Sequence, residues 1–150
     1  LPGTAHRARY LEALNYAETM AGLIEQLNMQ YLFLRDPSEA SPTVLKLITA
    51  RLRGVTAGLE HMLDGQDYLL PNGFSAADTM LGFNLRALTY YVRLEPYQNV
   101  TAYLGRLAQR SAFQRAVDKD GKQDFYTQDF YIFFRFSFEN NHRYGQLLPE

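Results

Sequence analysis

Apolar residues recur at spacings of three and four along most of this chain. The first stripe is Tyr10, Leu14, Ala17, Ala21, Ile24, Leu27 and Tyr31, which predicts a long helix from a cap at Thr4 to about Leu34. Arg35-Asp36-Pro37-Ser38 breaks that pattern. A second helix is expected near Ser41-Pro42, because proline suits the first helical position. Its apolar face is Leu45, Ile48, Leu52, Val55, Leu59, Met62 and Leu63, with Gly65 at its end. Pro71-Asn72-Gly73 then reads as a turn.

The next start is written most explicitly. In Phe74-Ser75-Ala76-Ala77-Asp78, Ser75 can accept from the N–H of Asp78 while the Asp78 carboxylate reaches back to the N–H of Ser75. That reciprocal pair is a capping box, and Phe74 stands where a hydrophobic staple begins. The helix that follows carries Met80, Leu81, Phe83, Leu85, Ala87, Leu88 and Tyr91 around much of its circumference, as a central, buried helix does. Asn99 is the expected cap of a fourth helix with Val100, Tyr103, Leu104 and Leu107 inward, and Ser111 opens a short fifth helix to about Val117.

Beyond the charged turn at 118–122 the chain turns aromatic, with Phe125, Tyr126, Phe130, Tyr131, Phe133, Phe134, Phe136 and Phe138. The alternation of Phe134, Phe136 and Phe138 fits a strand, whereas Tyr126, Phe130, Phe133 and Phe134 fit a helix; the helical surroundings favour the helix. Packing of this segment on the domain is the expected role, ahead of a lid or a self-association surface. The fold class expected is all-α, a bundle of about five to six helices in one domain spanning 1–150, with a core at 4–118 and an aromatic extension at 119–150.

Composition narrows the chemistry. A net charge of −1 gives no nucleic-acid footprint. The absence of cysteine excludes disulfides, thiol nucleophiles and thiolate metal sites within the chain. His6, His61 and His142 show no metal-ligand spacing, so no metal is expected. No apolar run approaches the ~20 residues of a membrane span, and Leu1-Pro2-Gly3-Thr4 carries no signal-type apolar run. A first residue other than methionine leads us to expect a fragment or processed product of a longer chain. Arg7, Arg9, Arg106, Arg110 and Arg115, interspersed with acidic residues, read as a solvated face.

The capping box has neighbours that make it more specific. Upstream are Gly58-Leu59-Glu60-His61-Met62-Leu63 and Tyr68-Leu69. Downstream are Pro96-Tyr97-Gln98-Asn99-Val100, Ala102-Tyr103-Leu104, Arg106-Leu107 and Arg110-Ser111-Ala112-Phe113-Gln114-Arg115-Ala116. Over about Arg7 to Ala116 this order resembles the C-terminal helical domain of bacterial glutathione transferases. The family often has tryptophan and histidine where Ala13 and Asn15 stand, glycine at Pro71 and proline at Ser111.

The resemblance implies a preceding thioredoxin-like domain that binds glutathione as co-substrate and carries the group stabilising its thiolate. The helical domain would supply the pocket for a hydrophobic electrophile and part of a homodimer surface in a cytoplasmic protein. No catalytic residue is then expected in this chain, which alone should be inactive. In the family the first helix lines the cleft, which makes Tyr16, Thr19, Met20 and Leu23 the substrate-pocket candidates; the other possibility is that they pack on a neighbouring helix. Ser75 and Asp78 are expected to be structural, with Asp78 partly buried and no general base. The competing functions are a non-catalytic interaction module of the same fold and a stand-alone small-molecule binding domain.

Overall fold

The computed structural model describes residue 3 and residues 5–121 and 125–131. Among them there is no strand. The α-helices are α1 (Arg7–Asn28), α2 (Pro42–Met62), α3 (Ala76–Leu88), α4 (Gln98–Ala108) and α5 (Ser111–Asp120). The expected Thr4 cap lies outside the described residues; α1 starts after His6, whose side chain makes no capping bond. At its far end α1 widens into a π-turn, Met29–Phe33, before the chain extends at Leu34. That widening leaves Met29 and Phe33 exposed while Tyr31, Leu32 and Leu34 pack against the core.

The packing is a ring. α1 lies against both α2 and α3, α4 touches both α2 and α3, and α5 is joined to α4. The ring encloses Ala13, Ala17, Met20 and Leu27 of α1, Leu45, Leu52 and Leu59 of α2, Leu81, Leu85 and Leu88 of α3, and Val100 and Tyr103 of α4. Small residues bring α1 close to its neighbours, and Asn84 of α3 donates to the Ala17 carbonyl across that seam at 2.7 Å. The buried Thr56 hydroxyl is satisfied by the Leu52 carbonyl at 2.8 Å.

Local chemistry explains two of the helix starts. Ser41 caps α2, its hydroxyl accepting from Val44 N–H at 3.4 Å, with Pro42 first in the helix. Ser75 and Asp78 form the capping box of α3. The Asp78 carboxylate is fully buried and does more than close the box. One oxygen accepts from Ser75 N–H at 2.7 Å and from the Ser75 hydroxyl at 2.9 Å; the other accepts from Leu69 N–H at 3.0 Å and the Tyr103 hydroxyl at 2.8 Å. Phe74 packs edge-on to Tyr68 and under the Arg110 guanidinium.

The structure departs from the expectations in four places. Asn99 is not the cap of α4, which begins one residue earlier; the Glu60 carboxylate of α2 accepts from Asn99 N–H at 2.9 Å and Val100 N–H at 3.0 Å. α3 is not buried all round, since Phe83 is 68% exposed and Met80 40%. The arginines are not a uniform solvated face: Arg9 donates to the Leu69 carbonyl, Arg106 to those of Gln66 and Asp67, and Arg110 stacks on Phe74. The described part of the aromatic segment, 125–131, is irregular rather than helical, with Tyr126 packed on Tyr90 and Tyr91 just beyond α3 and Tyr131 on Tyr91 and on Tyr31 of the π-turn. The rest of that segment lies outside the described residues.

Two glycines of α2 set up a matched test. A Cβ at Gly58 would stand 2.6 Å from the Tyr16 hydroxyl, whereas one at Gly54 would meet nothing within 4 Å. Gly54→Ala is expected to stabilise the fold by about 0.5–1 kcal/mol through helix propensity. Gly58→Ala is expected to destabilise it by about 1–3 kcal/mol by overpacking the α1–α2 seam. Urea midpoints of the two variants check the opposite signs.

Candidate functional site

A recess opens between α1 and α3. Ala21, Ile24, Glu25 and Asn28 present one face of α1 to it, and Phe83, Asn84 and Ala87 one face of α3. Phe125 and Tyr126 close its rim from the C-terminal strap. Its volume is about 770 Å³, of a size for a drug-like ligand. The walls are mainly apolar, with Asn28, Asn84 and Thr89 as neutral polar points and Glu25, Arg86 and Asp120 as charged ones.

A tyrosine cluster adjoins the recess, and two of its members, Tyr90 and Tyr126, line it. Tyr91 and Tyr126 both direct their hydroxyls to Asn28 Oδ1, at 2.5 and 3.4 Å. Tyr126 stacks on Tyr90 with centroids 4.0 Å apart and planes 14° from parallel. Tyr131 anchors the strap: it is buried, its N–H donates to the Tyr90 carbonyl at 2.8 Å, and its ring lies against Tyr31 and Tyr91. Arg93 covers the Phe130 ring at 3.9 Å. The strap therefore packs on the domain and, through Phe125 and Tyr126, borders the recess.

Burial governs the ionisation of these phenols. It pushes Tyr31 up to about 12 and raises Tyr126 and Tyr91 as well, the neighbouring phenols adding to the shift at Tyr91. At neutral pH the cluster is uncharged and offers donors. An unfolded tyrosine ionises near 10, so the unfolded state loses its proton first. The stabilisation from Tyr31 is fully present below pH 10 and is lost as the pH rises through about 12. Denaturant unfolding across that window is expected to show falling stability, with a shallower fall in Tyr31→Phe.

The sequence-derived pocket residues lie on another side of α1. Met20 is wholly buried and Leu23 is 8% exposed, both in the core. The half-buried Tyr16 donates its hydroxyl to the Val55 carbonyl of α2. Thr19 is exposed and its hydroxyl donates to the Asn15 carbonyl at 2.9 Å. None of the four borders the recess between α1 and α3. Asn28, Asn84 and Tyr90 were not singled out from the sequence. The available signal was the set Ala21, Ile24, Glu25 and Asn28, spaced three and four apart and ending in a polar residue beside an aromatic-rich segment.

No family model and no curated protein matches this chain. Among the described residues, no three His, Cys, Asp or Glu side chains come together to hold a metal ion, and no helix is long and apolar enough to cross a membrane.

Proposed function

We propose that this chain is the C-terminal helical domain of a glutathione transferase-like protein, and that its α1–α3 recess receives the apolar part of an electrophilic substrate. The observation that carries this reading is the recess itself: a largely apolar cleft with Asn28, Tyr90 and Tyr126 on its lining. Apolar walls favour the ligand body by removing its surface from water, and a few fixed polar groups orient it. Five helices in the expected order, with the Ser75–Asp78 capping box opening the third, support the resemblance. Glutathione would be held mainly by a preceding thioredoxin-like domain of a longer homodimeric parent, where thiolate attack on the electrophile would take place. In that assembly Thr19, the exposed member of the sequence-derived set, would be the residue of that face open to a ligand or a neighbouring domain. Tyr16, Met20 and Leu23 would support α1 from behind.

The test is quenching of tyrosine fluorescence, in a chain that has no tryptophan, by S-(2,4-dinitrophenyl)glutathione and by 2,4-dinitroanisole. Both are expected to bind saturably, with loss of binding in Ala87→Phe, which fills the recess, and weakening in Tyr126→Ala. Absence of saturable binding by either compound refutes the pocket. The enzymatic half of the proposal is tested by glutathione-dependent turnover in the longer parent protein, and fails if the parent has no such activity.

A further inference from the structure

A second recess lies on the other flank of Phe83 and adjoins the first, with Phe83, Arg86 and Asp120 bordering both. α5 is amphipathic, with Phe113, Ala116 and Val117 on one stripe, yet none of its side chains is buried. The stripe faces a groove of about 440 Å³ whose other walls are Thr79, Gly82 and Phe83 of α3 and Leu107 of α4. Gly82 keeps α3 close to α4 here, since a Cβ would stand 2.9 Å from Leu107 Cδ1. The groove is thus a gap between helices that the side chains of the described residues leave unfilled.

Its charges are distributed unevenly. At the end nearest the start of α3, the half-buried Arg110 lies 3.5 Å over the Phe74 ring. A guanidinium stacked in this way keeps its edge N–H groups free to donate. Among the described residues the Arg110 guanidinium makes no ion pair and no hydrogen bond; the one described salt bridge joins Arg106 to Asp67. At the opposite end Arg86 shares the rim with Asp120, at the end of α5. The Asp78 carboxylate also borders the groove, but its oxygens are taken up by Leu69, Ser75 and Tyr103.

We propose that this groove is a binding site for a small amphipathic carboxylate, with the head group on Arg110 and the apolar body along Phe113, Ala116 and Val117. One end supplies a cation with free donors, the middle supplies apolar walls, and at the far end Arg86 lies 5.8 Å over the Phe113 ring with the Asp120 carboxylate on the same rim. A neutral ligand of the same length lacks the contact with Arg110, so the site should discriminate by charge.

The experiment is calorimetric titration of the full 150-residue chain with dodecanoate and, separately, with dodecanol below their micellar limits. Dodecanoate is expected to bind more tightly than dodecanol. Arg110→Gln should weaken dodecanoate by about tenfold, the scale of one charge-assisted hydrogen bond, and leave dodecanol unchanged. Arg86→Gln should change neither by more than about twofold, and Ala116→Trp, at an exposed position that points the ring into the groove, should abolish both. Thermal melts of the variants verify that they are folded. Equal affinities for the acid and the alcohol, or dodecanoate binding that survives Ala116→Trp, overturn the proposal. Loss of dodecanoate in Ala87→Phe with retention in Ala116→Trp places the anion in the first recess and overturns it too. The dinitrophenyl test of the α1–α3 recess is read through Tyr126, which borders that recess and not the groove, so the two proposals can fail separately.

Discussion

Replacing Asp78 by alanine is expected to destabilise the fold by about 3–5 kcal/mol, among the largest effects of any single change in this chain. The reason is the number of donors that depend on one buried carboxylate. Removing it leaves Leu69 N–H and the Tyr103 hydroxyl without their acceptor in the buried interior, and Ser75 N–H without its acceptor at a half-buried helix start. Each unsatisfied buried donor costs about 1–3 kcal/mol, partly relieved by rearrangement. Three separate elements loosen together: the loop before α3, the first turn of α3, and α4 through Tyr103. Burial and the Asp78 carboxylate keep Tyr103 protonated far above the usual tyrosine range, so the hydroxyl remains a donor. Asp78→Asn retains one acceptor oxygen but presents an N–H₂ group towards another donor, and should fall between wild type and alanine. Urea unfolding followed by circular dichroism measures the order; wild-type stability in Asp78→Ala would show that the carboxylate is not a structural hub.

Met20→Ala is expected to destabilise by about 2–5 kcal/mol and to leave ligand affinity in the α1–α3 recess unchanged. Met20 has no exposed surface and sits in the middle of the ring of helices. Its loss opens a cavity where α1 meets its neighbours, and close-packed surroundings collapse only partly into such a space. A side chain that touched ligand would behave in the opposite way, with weak binding and little change in stability. Denaturant midpoints and dinitrophenyl affinity, measured on the same preparation, separate the two roles for Met20, and the same pair of measurements applied to Thr19 does so at an exposed position.

The elements most readable from the sequence are those whose determinants are local. Ser41-Pro42 and Ser75 with Asp78 start their helices by bonds spanning three residues, so the start is written where it occurs. The inward stripes of α1 and α2 follow from spacing alone. What could not be read depends on distant partners. Asn99 looks like a cap, but Glu60 supplies the acceptor from 39 residues away. Phe83 belongs to an apolar pattern, but a pattern does not say how far neighbouring helices extend, and none covers it. The recess depends on how α1 and α3 face each other and on the placement of the strap at 125–131, both tertiary matters. Tyr16, Met20 and Leu23 share a stripe, and spacing cannot tell a stripe facing α2 and the core from one facing a ligand.

The Glu60 contact bears on how the chain acquires its structure. α4 has no side-chain cap of its own at Tyr97, and its first amides are satisfied by a carboxylate near the end of α2. A helix of 11 residues is too short to persist alone in water. Formation of α4 therefore waits for α2, and the two enter the native state as one cooperative unit despite the α3 segment between them. Exchange of the Asn99 and Val100 amides with solvent should accordingly report the opening of α2 rather than fraying of the helix to which they belong.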